Sequence, residues 1–541
     1  MVILCILAAI LSVLLFFYSF ELFTQIEKLI QQTPWKIPSR IYSRTIQPED
    51  RLPFPKQFYL DFMKRQEYQQ ADSPDWPGQY RESESSIELV PFLDMASNRI
   101  LVVWDKTNTY RWIDPRTQQP LSDPIGEAEL LASFYDDQME DRAYLPFEEA
   151  PSYLIDSLLI QEDQSFYEHA GLDWRGVLRS AWMNYKENRI VQGGSTLTQQ
   201  VTKNLFFSHE KSWNRKIKEI LTSFYLEQVK SKEQILELYL NSCYMGQDGS
   251  INVYGMKEGA MLHFHRPPHR LSPAQCALLV SMIPAPNRYD PEKRPEISKE
   301  RRDGILKRLY ERSKLHEEEY QKALIEPIPD RKYKISGAFP IVSDFVKWEL
   351  QGWMGEKDLV SKGYSISTTL LSDYQLAAEK AISEGLQELE TTYPELKKHP
   401  QPLQAALVCL QGKTGEILAI VGGRDAQVGD YNRALQSKRQ IGSLMKPFVY
   451  LCAFEQTLAG QGNWFPNTLI LDEPVVIKTE QGEWKPENYT KKYLGEVTLR
   501  KALEKSLNLP AVKLGQQIGL DTLVTFLDRT QIMHCSANPS L

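Results

Sequence analysis

The chain has 541 residues, 25% charged and 42% hydrophobic, a balance that excludes wholesale disorder, a collagen repeat and a multi-span membrane protein. At about 150 residues per domain, this length predicts three or four domains. Lys+Arg is 63 against Asp+Glu 70, a net charge of −7, so no global basic surface points to nucleic acid. Six cysteines without a C-x-x-C pair argue against a disulfide scaffold and against structural zinc.

Val2 to Phe20 carries no charge. As a helix this run rises about 28 Å, close to the ~30 Å hydrocarbon thickness of a bilayer. It predicts an uncleaved transmembrane anchor over 1–22. A cleaved signal peptide is the rival, but the sequence lacks the basic leader and small-residue cleavage site that one needs. Charge does not favour export: Lys28, Lys36, Arg40 and Arg44 all follow the span, which read naively keeps the body in the cytoplasm. A stalk over 21–36 leads to a small α+β module over 37–117. It holds a polar helix candidate, Lys56–Gln69, a turn-rich stretch from Ser73 to Gly78, and strand patterns at Ile87–Val90 and Ile100–Trp104. Residues 140–326 are dominated by helical periodicity, with Ile155, Leu158, Leu159 and Leu236, Tyr239, Leu240 at three-to-four spacing. Pro327-Ile328-Pro329-Asp330 opens a linker, 327–363. From 364 to 541 the texture changes to a strand pattern, Ser365–Thr369, a helix around Asp373–Leu389, and two apolar runs flanking Gly412-Lys413-Thr414-Gly415 as a hairpin.

The helical region carries five polar pieces in series. They are E-D-Q-S-F-Y-E-H at 162–169, G-G-S-T-L-T-Q-Q at 193–200 with Lys203 and Asn204, R-K-I-K-E at 215–219, K-E-Q-I-L-E-L-Y-L-N at 232–241, and Arg301 with Ile305-Leu306. Any one alone reads as a helix cap or a solvated face. Together, over about 145–310, they resemble the glycosyltransferase family 51 domain of peptidoglycan polymerases. Sugar polymerisation on a lipid diphosphate needs a base for the acceptor hydroxyl, help at the leaving side, and cations for the phosphates. The resemblance implies that Glu162 is the base and Glu219 assists departure of the diphosphate. Lys203, Arg215 and Lys216 would hold the phosphates, while Ser195, Thr196, Gln200 and Asn204 complete the substrate site. It also implies Mg²⁺ or Mn²⁺ as cofactor, with no metal ligands identified. Asp163 reads as a backbone partner, and His169 equally as an acid or a packed core histidine. Trp174, Leu178, Trp182 and Met183 form an apolar stripe that fits either an ordinary amphipathic helix or a face dipping into lipid. One departure is visible: His263 and His265 stand where relatives carry tyrosine and glycine.

Further on, Ser443-Leu444-Met445-Lys446 forms S-x-x-K and Ser506-Leu507-Asn508 forms S-x-N. Three positions on a helix put Ser443 and Lys446 on one face, where a desolvated lysine can activate the hydroxyl for acyl transfer. Framed by Y-N-R-A-L-Q-S-K-R-Q-I-G and S-L-N-L-P-A, these motifs resemble the transpeptidase domain of class A penicillin-binding proteins, which β-lactams acylate. That fold needs a K-T-G strand after the S-x-N. Lys413-Thr414-Gly415 is upstream, in the wrong order, and is set aside. The segment after Asn508 offers a helix candidate, Leu520–Leu527, and a polar tail. The domain therefore reads as truncated, with transpeptidase activity expected to be weak or absent.

The order of anchor, module, glycosyltransferase and transpeptidase resembles the 1B-type branch of class A penicillin-binding proteins. In that branch the module docks an outer-membrane lipoprotein activator. The fold expectation is therefore multidomain: a transmembrane helix, a small α+β module, a mainly α lysozyme-like glycosyltransferase and an incomplete α/β penicillin-recognising domain. The functional expectation is polymerisation of lipid II into glycan strands at the inner membrane, with the catalytic domains periplasmic. The rivals are a lytic enzyme, disfavoured because a cutter has no diphosphate to hold, and a non-catalytic truncated scaffold of the cell-wall machinery.

Overall fold

The computed structural model describes residues 23, 24, 26 and 27 and the chain from Lys36 to Thr530, apart from 46–53, 67, 75–77, 92–98, 107, 122–127, 187–193, 208–212, 331, 333–338, 340, 426–427 and 480–481. The expected anchor lies outside the described residues. Among those described, no helix is long and apolar enough to cross a membrane. Packing divides the chain into two units, Met1–Gln436 and Ser437–Leu541. Residues 365–421 fall in the first unit because they bury their apolar faces against elements from the N-terminal part of the chain.

The first unit opens with strand β1 (Ser39–Tyr42) and the small module. The module consists of α1 (Lys56–Arg65) and a sheet of β2 (Gln69–Gln70), β3 (Gln79–Glu82), β4 (Ser86–Val90), β5 (Ile100–Trp104) and β6 (Tyr110–Ile113), in that order. Period-two alternation turns Ile87, Leu89, Ile100, Val102 and Trp112 inward, where Tyr59, Leu60, Phe62 and Met63 of α1 cover them. The helix stops at Arg65, four residues short of the expected Gln69. Past Met63 no apolar residue extends its buried face, and the Gln69 N–H is taken by Gly78 O at 2.8 Å as the edge strand forms. Leu371 and Leu418, from beyond the linker, complete this same core.

Strand β7 (Leu130–Phe134) pairs antiparallel with β1, whose other edge pairs parallel with Ser365–Ser367. Three distant segments thus share one sheet. Next come β8 (Glu140–Arg142) and the helices α2 (Ser152–Glu162), α3 (Trp174–Lys186), α4 (Leu197–Phe206), α5 (Trp213–Val229) and α6 (Lys232–Ser242). They are followed by β9 (Tyr244–Asp248), β10 (Ile251–Tyr254), α7 (Met256–Phe264), α8 (Pro273–Met282) and α9 (Pro295–Glu311). Helix α8 is buried nearly all round and forms the centre of the core with Leu154, Leu158, Leu236, Leu240, Ile305 and Leu306. Ser272 and Gln275 close a reciprocal cap at its start. His265, at the position where a glycine was expected, ends α7 with φ 50° and ψ 38°. The left-handed turn is retained by a side chain that adopts it at a cost of about 1 kcal/mol.

The N-terminal segment is locked to the helical domain by charge. Arg40 of β1 meets Asp141 of β8 at 2.8 Å and Glu258 of α7 at 2.9 Å, both carboxylates being buried. Burial, first of all, and the nearby Asp141 hold Glu258 above the ordinary glutamate range, against the opposing pull of Arg40. Replacing Arg40 with Met strands two buried carboxylates, a loss of about 3–5 kcal/mol. We expect a lower melting transition for Arg40→Met at pH 8 and a smaller deficit at pH 5, where Glu258 takes up a proton. Calorimetry at the two pH values checks this, and an equal deficit at both would contradict it.

Candidate active sites

Helix α2 runs from Pro151 to a break at Asp163, where φ −158° leaves the helical region. Glu162 is its last residue, so the carboxylate sits at the negative end of the helix dipole. Asp163 turns the other way. One of its oxygens accepts the Leu197 N–H at 2.9 Å, capping the start of α4. The same oxygen faces His169 Nε2 at 2.9 Å. His169 Nδ1 accepts from the Gly171 N–H, so Nε2 carries the ring proton toward Asp163. His169 is therefore a structural link, and the adjacent acidic pair divides into one cap and one reactive candidate.

Helix α4 then reaches both sides of the site. Gln200 Nε2 donates to Glu162 Oε2 at 3.0 Å, and its Oε1 accepts from the buried Tyr239 hydroxyl at 3.1 Å. Gln199 Oε1 accepts from Lys216 Nζ at 3.2 Å. Lys216 also donates to Ser195 Oγ at 3.1 Å and pairs with Glu219 Oε2 at 3.3 Å, while Arg215 Nε lies 3.2 Å from Glu219 Oε1. Consecutive glutamines thus address Glu162 and the lysine that pairs with Glu219. Lys203 and Asn204 follow Gln200 at three and four positions, on the same face of α4.

The two carboxylates experience different surroundings. Burial raises Glu162 above the usual glutamate value, partly offset by the Gln200 hydrogen bond and by the charges of Arg301 and Lys203. Glu219 is buried between two cations. Thr196, expected at the substrate site, is buried here, donates to Gly171 O at 2.7 Å and accepts the Gln199 N–H as a helix cap. Gln199 and Tyr239 were missed as positioning groups. The T-Q-Q run held a signal for Gln199, since neighbouring polar residues on a helix reach different faces. Both oxygens of Glu219 face cations, and among the described residues no group of three carboxylate, histidine or cysteine ligands converges. The residues present do not make a protein-borne site for a divalent ion.

The second unit gathers the other set. Gly442, at φ 58°, admits a short 3₁₀ turn over Gly442–Met445, and the helix Lys446–Leu458 follows with Pro447 at its start. Ser443 is exposed one turn before the buried Lys446. Lys446 Nζ donates to Ser506 O at 2.5 Å, Ser506 Oγ at 3.1 Å and Asn508 Oδ1 at 2.6 Å. Burial holds its amine below the usual lysine value. Ser506 has φ 51°, a strained conformation of the kind that clusters at functional sites. Asn508 is fixed by donating to Glu487 O at 2.7 Å and, through its own N–H, to Asn488 Oδ1 at 2.8 Å. The upstream Lys413-Thr414-Gly415 forms the turn between strands Leu407–Leu410 and Ile417–Val421 of the first unit. Gly415 takes φ 75° there, and Thr414 bonds Glu416.

A helical site of this make-up followed by a serine–lysine site defines a protein with fused transglycosylase and transpeptidase domains. The transglycosylase family model matches residues 127–310, and the penicillin-binding protein transpeptidase domain model matches 405–534. Penicillin-binding protein 1B of Haemophilus influenzae is 35% identical over 95% of this chain and 65% of its own length. That of Vibrio cholerae is 33% identical over 98% and 68%, and that of Escherichia coli 33% over 95% and 61%. A crystal structure of penicillin-binding protein 1A from Haemophilus influenzae aligns at 22% identity and TM-score 0.40, covering 75% of this chain and 62% of that one. The chain belongs to the penicillin-binding protein 1B family, and it spans about two thirds of the length of these relatives.

If Glu162 is the group that must be ionised for turnover, the acid limb of the pH–rate profile lies above the ordinary glutamate value. Gln200→Ala removes a hydrogen bond that favours the charged form, so the limb should move to higher pH still. Initial rates between pH 5 and 9 test this, and an unmoved limb would detach Gln200 from Glu162.

Proposed function

We propose that the first unit polymerises a lipid-linked disaccharide-pentapeptide, lipid II, into glycan strands, releasing a polyprenyl diphosphate. The observation that carries this is the helix α4 arrangement, in which consecutive glutamines address the desolvated Glu162 and the lysine that pairs with Glu219. Glu162 takes the proton of the acceptor hydroxyl as that oxygen bonds to the donor's anomeric carbon. The bond from that carbon to the diphosphate breaks with its electron pair staying on the diphosphate, whose charge Lys203, Arg215 and Lys216 receive. Glu219 keeps Arg215 and Lys216 in place and is the one carboxylate at the leaving side.

The residues 1–22 are read as a single-pass anchor in the inner membrane, with both catalytic domains periplasmic. Two features support a lipid-facing glycosyltransferase. Trp174, Leu178 and Trp182, at successive four-residue steps of α3, are 65, 71 and 66% exposed. Phe23, just after the apolar run, stacks on Tyr225 of α5 at 4.4 Å. The module over 37–117 is read as the docking site of an outer-membrane lipoprotein activator. The domain limits 140–326 and 364–541 are kept as functional divisions, with a linker between them.

In the second unit Ser443 is the acyl acceptor, Lys446 the base, and Ser506 and Asn508 the hydrogen-bonding pair that holds it. No K-T-G follows Asn508 among the 541 residues. For this polypeptide we expect weak or no labelling of Ser443 by fluorescent penicillin, read on a gel; stoichiometric labelling would refute that. For the first unit, purified protein with labelled lipid II should yield polymer, and Glu162→Gln should lose more than a hundredfold in rate. Shortened glycan would point to a lytic enzyme, and no turnover by the wild-type chain would point to a scaffold.

A further inference from the structure

Helix α9 packs beside α2 and turns three arginines toward the end that carries Glu162. Arg308 donates to Gln161 Oε1, and Arg312, just past the helix, donates to Gln164 Oε1 at 2.8 Å. Arg301 lies close enough to Glu162 to stabilise its charge, and is held by Ser281 O at 2.9 Å and by the Tyr289 ring at 4.0 Å. Steps of seven and four residues place the three on one face. Other cations of this helix have carboxylate partners: Lys299 and Arg302 pair with Asp303, and Lys307 with Glu311. Arg301, Arg308 and Arg312 make no ion pair among the described residues. Burial, and then the charges of Arg301 and Arg312, push the Arg308 guanidinium below its ordinary value, and its Nε is buried without a hydrogen-bond partner. A row of like charges costs stability unless something outside the protein neutralises it.

The proposed reaction brings two anionic substrates together. Lys203, Arg215 and Lys216 account for the diphosphate that leaves. The acceptor, whose hydroxyl Glu162 deprotonates, also carries oxyanions: its own diphosphate and the carboxylates of its peptide. Seven residues of helix span about 10 Å, so the row extends from the neighbourhood of the base along α9. We propose that Arg308 and Arg312 bind an oxyanion of the acceptor and thereby position its hydroxyl at Glu162. This rests on the glycosyltransferase reading above. Guanidinium groups suit the task because they grip phosphate or carboxylate through paired donors.

The test is steady-state polymerisation of lipid II in detergent by the 541-residue chain, beside the Arg308→Gln/Arg312→Gln double variant. Binding of dansyl-labelled lipid II is followed by anisotropy in a Glu162→Gln background, where turnover is blocked. We expect KM to rise about tenfold, kcat to fall less than threefold, binding to weaken in parallel, and Arg308→Lys/Arg312→Lys to recover most of the loss. Lipid II with amidated peptide carboxylates separates the sources. If amidation raises the wild-type KM to the variant's level, the anion is the peptide. If wild type is indifferent and the double variant is still weak, it is the diphosphate. An unchanged KM with unchanged binding overturns the proposal, as does a lowered melting temperature that the lysine pair fails to restore. Absence of polymer from wild type would instead sink the glycosyltransferase reading, while the binding comparison would still judge the arginines.

Discussion

The first site depends on how helix α4 begins. Its first N–H is capped by Asp163 from the end of α2, and its third by the Thr196 hydroxyl, which also ties back to Gly171. These bonds fix the rotation of α4 about its axis. Rotation then decides everything downstream, because Gln199 and Gln200 are about 100° apart on a helix, one accepting from Lys216 and the other donating to Glu162. Without this cap the two acidic groups would have no common reference frame. Catalysis by a base and a leaving-group partner requires that frame to be rigid within a fraction of an ångström.

The same frame explains why two glutamates acquire different characters. Glu162 is desolvated, sits at a helix C-terminus, and has one neutral amide as its direct partner. Each of the first two features favours the protonated form, which moves the proton affinity toward working pH. Glu219 is buried and has guanidinium and ammonium groups at 3.2 and 3.3 Å. One carboxylate is therefore set up to exchange a proton while the other is engaged by two cations. Separated roles of this kind are what a displacement with a charged leaving group demands.

Much of this was legible in the sequence, and the limits were physical. The order of polar motifs, through the family resemblance it carries, singled out Glu162, Gln200, Arg215, Lys216 and Glu219, because each motif lies within one or two turns of one helix. The capping bonds of Thr196 were not legible, because a hydroxyl before a helix serves as a cap as readily as a ligand, and only its neighbours decide. The Lys56–Gln69 helix was drawn too long because a polar stretch has no apolar stripe to mark its end. The Arg40–Asp141–Glu258 cluster joins residues about 100 and 200 positions apart, and charge pairing at such distances leaves no local pattern. The hairpin at Lys413–Gly415 was read correctly because glycine at a left-handed position is a local requirement.

The ionic contacts inside the first unit do more than stabilise separate pieces. Arg65 of the module's helix meets Glu129, ahead of β7, at 2.9 Å and Asp373, at the start of the helix Ser372–Thr392, at 3.0 Å. Leu371 and Leu418 from that same region sit in the module's core. Arg40 ties β1 to β8 and α7, and β1 itself is paired with the strand Ser365–Ser367. The module therefore has no hydrophobic core of its own that excludes the post-linker segment. It cannot turn as a free spacer without opening a buried apolar face and stranding Asp373, which burial raises to about 6 despite its bond to Arg65. The module is thus joined to β1 and its sheet, and β1 in turn, through two buried carboxylates, to β8 and α7.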